Sequence, residues 1–232
     1  MTPTRRKMVV FALFLLAWAV VFAGLGVWQV QRLHWKRALI ASVEHKLASA
    51  PVDLPPKSSW SRLASPTNEY LKVRVRGVFR ERDAVRVDAL TELGAGDWLL
   101  TPLATAQGTI WVNRGFAPKD STVSLRPVGP QPVVVTGLLR MSEPDGRFLR
   151  PNRPGEGRWF SRDIAAMSAT RRIDDAAPFF IDEARQGTLT NYPVGGLTVT
   201  RFRNSHLAYA LTWFGLSLLC LFGLFQLTRR PA

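Results

Sequence analysis

Two stretches of the chain are predominantly apolar and uncharged, and between them the pattern alternates with a period of two. Met8 to Trp28 and Leu207 to Leu227 carry no charged residue. At 1.5 Å rise per residue each spans about 31 Å as a helix, close to the roughly 30 Å hydrocarbon core of a bilayer. The first run is longer than the roughly 7–15 apolar residues of a secretory signal, and no small-x-small cleavage site follows it. It ends instead in Trp28-Gln-Val-Gln-Arg32-Leu-His-Trp35-Lys36, the indole and cationic groups of an interfacial anchor. The pattern predicts two transmembrane helices, over 8–30 and 204–227, with short tails over 1–7 and 228–232.

The section between them, 31–203, is ample for one domain with its own core. Trp35, Leu39, Val43 and Leu47 recur at three-to-four spacing, which predicts a juxtamembrane helix over 34–50 continuing out of the first span. Pro51, Pro55 and Pro56 end it, and a Ser-rich linker to about Ser65 is expected. In Tyr70 to Phe79, Leu71, Val73 and Val75 face one way, Lys72, Arg74 and Arg76 the other. Strands are also expected at Trp98–Leu103, Thr109–Phe116, Val133–Leu139, Phe179–Asp182 and Gly196–Arg203. Gly94-Ala-Gly96, Gly108 and Pro127 to Pro132 read as breaks, and one short helix is expected near Asp163 to Ala169. The fold class is therefore an α+β membrane protein, in which two transmembrane helices flank one mainly antiparallel β domain over 70–203.

Charge sets the orientation. The tails carry Arg5, Arg6, Lys7, Arg229 and Arg230 and no acid, which places both termini in the cytoplasm and the central domain in the periplasm or its equivalent. Those five cations account for +5 of the net +14, leaving about +9 on the rest. Outside the cytoplasm nucleic acid is not the partner. Anionic lipid headgroups, or acidic groups on a ligand, fit better. Cys220 is the only cysteine and lies within the second apolar run, so neither an intrachain disulfide nor a soft-metal Cys-x-x-Cys site exists. His34, His45 and His206 have no Cys or carboxylate at metal-ligand spacing, and no nucleophile elbow or P-loop appears. No motif supports catalysis, and a membrane-anchored hydrolase is the weakest reading.

If the two spans pack as a hairpin, the end of the first meets the start of the second. On the second, His206, Ala210, Trp213, Ser217 and Cys220 form one stripe. An imidazole, an aromatic plane and small residues suit a flat apolar ligand; the same small residues also suit helix packing, and Trp and Tyr collect at any membrane interface. Arg32, Arg201 and Arg203 lie just outside, where they could pair with carboxylates. In the β domain Asn113-Arg-Gly-Phe116 reads as a strand closed by a turn, either plain or with Arg114 projecting from the rim. Pro151-Asn-Arg-Pro-Gly-Glu-Gly-Arg-Trp159 reads as a loop, and Lys72-Arg74-Arg76 as a solvent face or a docking surface.

Leu25-Gly-Val-Trp28-Gln29-x-x-Arg32-x-x-x-Lys36 and Arg203-Asn204-x-His206-Leu-x-Tyr209-x-x-Thr212-Trp213 resemble the signatures of the Surfeit locus protein 1 family. Tyr70 to Phe79, Val112-Asn113-Arg114-Gly115, Pro151-Asn152-Arg153-Pro154 with Trp159, and Tyr192-Pro-x-Gly-Gly196 also match its pattern, in order along nearly the whole chain. Ser205 departs from it, standing where the family commonly has asparagine. The resemblance implies a non-enzymatic cytochrome c oxidase assembly factor. It implies haem a as a transiently bound group, and the oxidase catalytic subunit and haem a synthase as partners alongside membrane lipid. With it come His206 as axial ligand to the haem iron, Trp213 and Tyr209 beside the ring, and Arg32, Arg201 or Arg203 on the propionates. Only seven residues precede the first span, which favours a bacterial inner-membrane protein over a mitochondrial one. The rival expectation is a cofactor-free scaffold that holds oxidase subunits.

Overall fold

The computed structural model describes residues 3–119, 129–185, 192–198, 200, 202 and 204–229, with the side chains of 3–5 left aside. The chain divides into two compact units, 1–44 with 200–232, and 45–199. Helix α1 (Pro3–Ala48) passes from one to the other without a break, so the first apolar run and the expected juxtamembrane helix are one element. Its partner in the helical unit is α4 (His206–Thr228). Both are long and apolar enough to cross a membrane.

The second unit is a closed β-barrel. Strands β2 (Lys72–Phe79), β6 (Val133–Met141), β7 (Ala176–Glu183), β5 (Gly108–Pro118) and β4 (Gly94–Thr105) pair in that order, and β2 pairs again with β4 to close the ring. Two further strands lie outside it, β3 (Val85–Thr91) along β4 and the two-residue β1 (Val52–Asp53) along β2. Pairing is antiparallel except for β1–β2 and β5–β7, so the mainly antiparallel expectation holds.

The barrel has two apolar layers. Val73, Val75, Ile110, Val112, Leu139, Phe179 and Ile181 fill the first. Trp111, Phe180, Val87, Leu100 and Trp159 form the second, covered by helix α3 (Ile164–Thr170) through Ile164 and Met167. Strand β5 sends Ile110 and Val112 to one layer and Trp111 to the other, and β7 does the same with Phe179, Ile181 and Phe180. Both faces are buried, which is why these strands read as continuous apolar runs. Asp163 caps α3 by accepting the Ala166 N–H at 3.0 Å.

Several expectations are corrected. The supposed linker carries a one-turn helix, α2 (Trp60–Leu63), with Trp60 and Leu63 in the first core. The stretch had read as linker because serine and proline outnumber these two anchors. Strand β3 was not expected, its Val85, Val87, Ala89 alternation being brief. Gly94-Ala-Gly96 opens β4 instead of breaking the sheet; a Cβ on Gly96 would stand 2.3 Å from the Ala117 carbonyl oxygen, so that glycine serves close approach. Gly196 has φ +70, off the extended backbone, and Gly196 to Thr198 form no strand. Of the rest of that expected strand, Thr200 and Phe202 are in no strand either, and Val199, Arg201 and Arg203 lie outside the described residues.

Candidate functional site

Helices α1 and α4 pack antiparallel along one seam. From one end to the other, Gly223 meets Leu15, Ser217 meets Ala19, Trp213 meets Phe22, Phe214 meets Gly26 and His206 meets Gln29. On α1 these positions recur three or four apart, the spacing of a helix–helix seam. Two contacts explain the close approach. A Cβ on Gly26 would lie 2.6 Å from the Phe214 ring, so only glycine lets that ring pass. The Ser217 hydroxyl donates to the Ala19 carbonyl at 2.8 Å, hiding its polar group from lipid.

At the end of the seam stands the one imidazole of the unit that meets the other helix. His206 is the first residue of α4. Its backbone N–H is taken up by the Asn204 side-chain oxygen at 3.3 Å, an orphan donor satisfied from outside the helix. Its ring Nδ1 lies 2.7 Å from Gln29 Oε1. An amide oxygen only accepts, so facing it Nδ1 is the donor, and in the neutral imidazole the lone pair is then on Nε2. Gln29 is itself buried, at 8 % exposure, and therefore holds the ring in one orientation. A hydrogen-bond acceptor behind the ring that orients it is the usual support for a metal-binding imidazole.

The other sequence candidates distribute around this pair. Trp213 stacks on Phe22, with centroids 5.7 Å apart and planes 23° apart, so α1 covers one face of the indole. Tyr209 is exposed. The Arg32 guanidinium lies 4.6 Å over the Trp35 ring on its own helix. Arg201 and Arg203 are outside the described residues. The stripe of His206, Ala210, Trp213 and Ser217 is thus the face that packs against α1. Gln29 stands in the signature quoted from the sequence but was given no role at the site. Its signal was there: a lone amide at the spacing of Phe22 and Gly26, just beyond an apolar run.

A second polar constellation sits in the barrel. Asp182, on β7 and 5 % exposed, accepts from Asn113 at 2.8 Å, Thr198 at 2.9 Å, Arg140 at 3.1 Å and Arg162 at 3.4 Å. Arg140 continues to Glu69 at 3.0 Å, and Arg162 clasps Glu143 through Nε at 3.0 Å and through Nη2. Acid and base alternate along five residues. Burial alone would push the Glu143 carboxyl up, but the Arg162 hydrogen bond and charge outweigh it and hold the group below its ordinary range. Burial also works against the Arg140 charge; Asp182, Tyr70 and Glu69 overcome it, so the guanidinium is held more firmly protonated.

The remaining motifs are structural. Arg114 does not project from a rim: it lies within β5, buried, paired to Glu81 at 3.1 Å and 5.1 Å over the Phe79 ring. The supposed turn is a strand interior with Gly115 at φ +127. There Val194 crosses so closely that a Cβ on Gly115 would stand 2.2 Å from its carbonyl. Two of the family motifs therefore dock on each other. Asn152 is a staple, its oxygen accepting from the Phe160 and Ser161 N–H groups at 2.8 and 3.1 Å. Lys72 donates to the Leu47 carbonyl at 2.6 Å and Arg74 pairs with Asp53 at 2.9 Å, so that face ties chain segments together.

Among the described residues no group of three or more His, Cys, Asp or Glu could hold a metal ion. The sequence profile described as SURF1 family matches residues 16–218. Surfeit locus protein 1 of Homo sapiens is 38 % identical over 221 residues, covering 84 % of this chain and 69 % of that protein. The Mus musculus protein of the same name is 34 % identical over 227 residues, covering 88 % and 71 %. A SURF1-like protein of Monosiga brevicollis is 33 % identical over 224 residues, covering 89 % and 83 %.

Proposed function

Because the chain belongs to the SURF1 family, we propose that it is a non-enzymatic cytochrome c oxidase assembly factor that carries haem a to the oxidase catalytic subunit. The observation that carries this reading is the Gln29–His206 hydrogen bond at 2.7 Å. With Nδ1 donating to Gln29, Nε2 of the neutral imidazole would be the one protein ligand offered to the iron. A single imidazole suits cargo that must be handed on, since two protein ligands would slow release. Trp213 and Tyr209 would line the haem, and Arg32 and Arg203 would hold its propionates. The two apolar helices anchor the protein in the membrane that houses the oxidase. Both tails face the cytoplasm and the barrel faces the periplasm or its equivalent. Haem a synthase is the donor and the catalytic subunit the acceptor.

The test is an absorption spectrum of the full chain purified in detergent from cells with and without haem a synthesis. Wild type is expected to carry the pigment, His206→Ala to lose it, and Gln29→Leu to bind it more weakly with an altered spectrum. A second reading is a cofactor-free scaffold. The Phe22–Trp213 stack favours it, because the aromatic face of the stripe is already filled by α1. Colourless wild type from cells that make haem a, still co-purifying with oxidase subunits, overturns the carrier in favour of the scaffold.

A further inference from the structure

Strand β3 buries Val85, Val87 and Ala89 and turns Arg86, Asp88 and Leu90 outward. Beside that outer face opens a cleft of about 420 Å3, bounded by Lys119 and residues 149–160. Its charge is lopsided. Five cations line it, Arg86, Lys119, Arg150, Arg153 and Arg158, against Asp88 and Asp97; Arg147 and Glu156 join them through ion pairs, and all three carboxylates are already engaged. Asp88 is shared by Lys119 at 2.5 Å and by Arg147 and Arg150, each at 3.9 Å. Glu156 serves Arg153 at 3.4 Å and Arg158 at 3.8 Å, and Asp97 meets Arg86 at 3.6 Å. Arg150 and Arg158 both lie over the Phe160 ring, at 5.8 and 5.5 Å. Positive charge remains in excess after all internal pairing.

The rim of the cleft carries a protruding tip. Arg147 and Arg150 close it by exchanging backbone hydrogen bonds of 3.0 and 2.8 Å. Between them Phe148 is 91 % and Leu149 85 % exposed. Leu149 also has φ +60, a left-handed conformation that strains a bulky side chain and that glycine or asparagine would accept. A leucine here brings strain and no burial within the fold. Asp88 ties the tip to β3, and the next outward residue of that strand, about 7 Å further on, is exposed Leu90. Bulky apolar groups on a tight turn, flanked by arginines, have the chemistry of an interfacial anchor. The apolar groups enter the headgroup–acyl boundary and the guanidiniums take phosphates. An acidic protein would answer the charge, but it would also need a pocket shaped for two adjacent protruding side chains, whereas a bilayer needs none.

We propose that the Arg147–Arg150 tip and its basic cleft dock the barrel onto an anionic phospholipid surface, with Phe148 and Leu149 entering the bilayer interface. The experiment uses the full chain in nanodiscs, with Cys220→Ala as background and an environment-sensitive fluorophore at Phe148→Cys. A matched probe at Val134→Cys, an exposed position on β6, is the control. Recovery of the protein in the discs reports membrane anchoring separately. With phosphatidylglycerol present, the Phe148 probe shifts to the blue and is quenched by spin-labelled lipid, the Val134 probe is not, and pure phosphatidylcholine gives neither effect. Arg147→Glu and Arg150→Glu each lower the docked-to-undocked ratio by about fivefold or more. Quenching no greater than that of the Val134 probe, or equal in both lipids, overturns the proposal. A probe that stays wet in both discs and is shielded only on adding polyglutamate assigns the surface to an acidic protein instead.

Discussion

Replacing Asp182 with asparagine tests whether the charge chain in the barrel is a stabilising unit. The substitution keeps the shape of the side chain and removes its charge. Asp182 accepts from four donors, at 2.8 to 3.4 Å. An amide offers one oxygen and turns an NH2 toward the other donors, so at least one guanidinium is left facing hydrogens. Removing one partner of a buried ion pair costs about 3–5 kcal/mol. Arg140 and Arg162 each keep an outer carboxylate, Glu69 or Glu143, which puts the expected loss near the lower end, about 3 kcal/mol. In a domain of this size 1 kcal/mol moves the melting temperature by roughly 2–4 °C, so a fall of about 6–12 °C is expected. Trp60, Trp111 and Trp159 are buried in the two barrel layers and report the transition by intrinsic fluorescence, with the full chain held in detergent. A shift of less than about 2 °C would refute the reasoning and mean that water or neighbouring groups already screen the pairs.

Three further outcomes are expected. Glu143 is held below its ordinary value of 4.5, so its contribution is full above that pH and disappears as the pH falls through the depressed folded value. The wild-type melting temperature should therefore converge on that of Glu143→Gln below about pH 4.5, and a gap that stays constant there would sink the assignment. Gly115→Ala should cost about 1–3 kcal/mol from φ alone, with the Val194 overlap adding to it; thermal melts of the two proteins that superimpose would refute it. Gly26→Val should push Phe214 away and open the helix seam. Its readout is reduced cross-linking between cysteines placed at Ala19 and Ser217 in a Cys220→Ala background, and undiminished cross-linking would contradict the packing described.

Much of the architecture was legible because its signals are local. Twenty apolar residues in a row need no tertiary context to be read as a long helix, and the alternation in Tyr70 to Phe79 declares a strand. What escaped depends on distant partners. Strand β3 has only three inward residues, and what covers them includes Trp159, more than sixty positions later. Trp60 looked like part of a linker because its neighbours are serine and proline, and only the barrel interior reveals it as core. Arg114 and Asp182 are charged residues within apolar strands, and what they touch decides whether they are surface or network. At the helix seam the stripe on α4 was readable from spacing, whereas Gln29 became significant only when the opposite helix brought it within 2.7 Å of His206.

The closure of the ring also dictates an order of events during synthesis. β7 is the last strand of the barrel to be made, yet it is not an edge: it slots between β5 and β6, and Asp182 arrives with it. Until residues 176–183 have left the ribosome, nothing bridges β5 to β6, and the two earlier sheets, β1–β2–β6 and β3–β4–β5, join only through the two-residue β2–β4 contact. A nascent chain stopped before Ala176 therefore holds two open sheet edges, and Arg140 and Arg162 lack the carboxylate that links them. Such edges are templates for pairing with other chains. Truncation or stalling upstream of β7 should be far more damaging than the loss of eight residues elsewhere, because the final stave is the one that turns a curled sheet into a barrel.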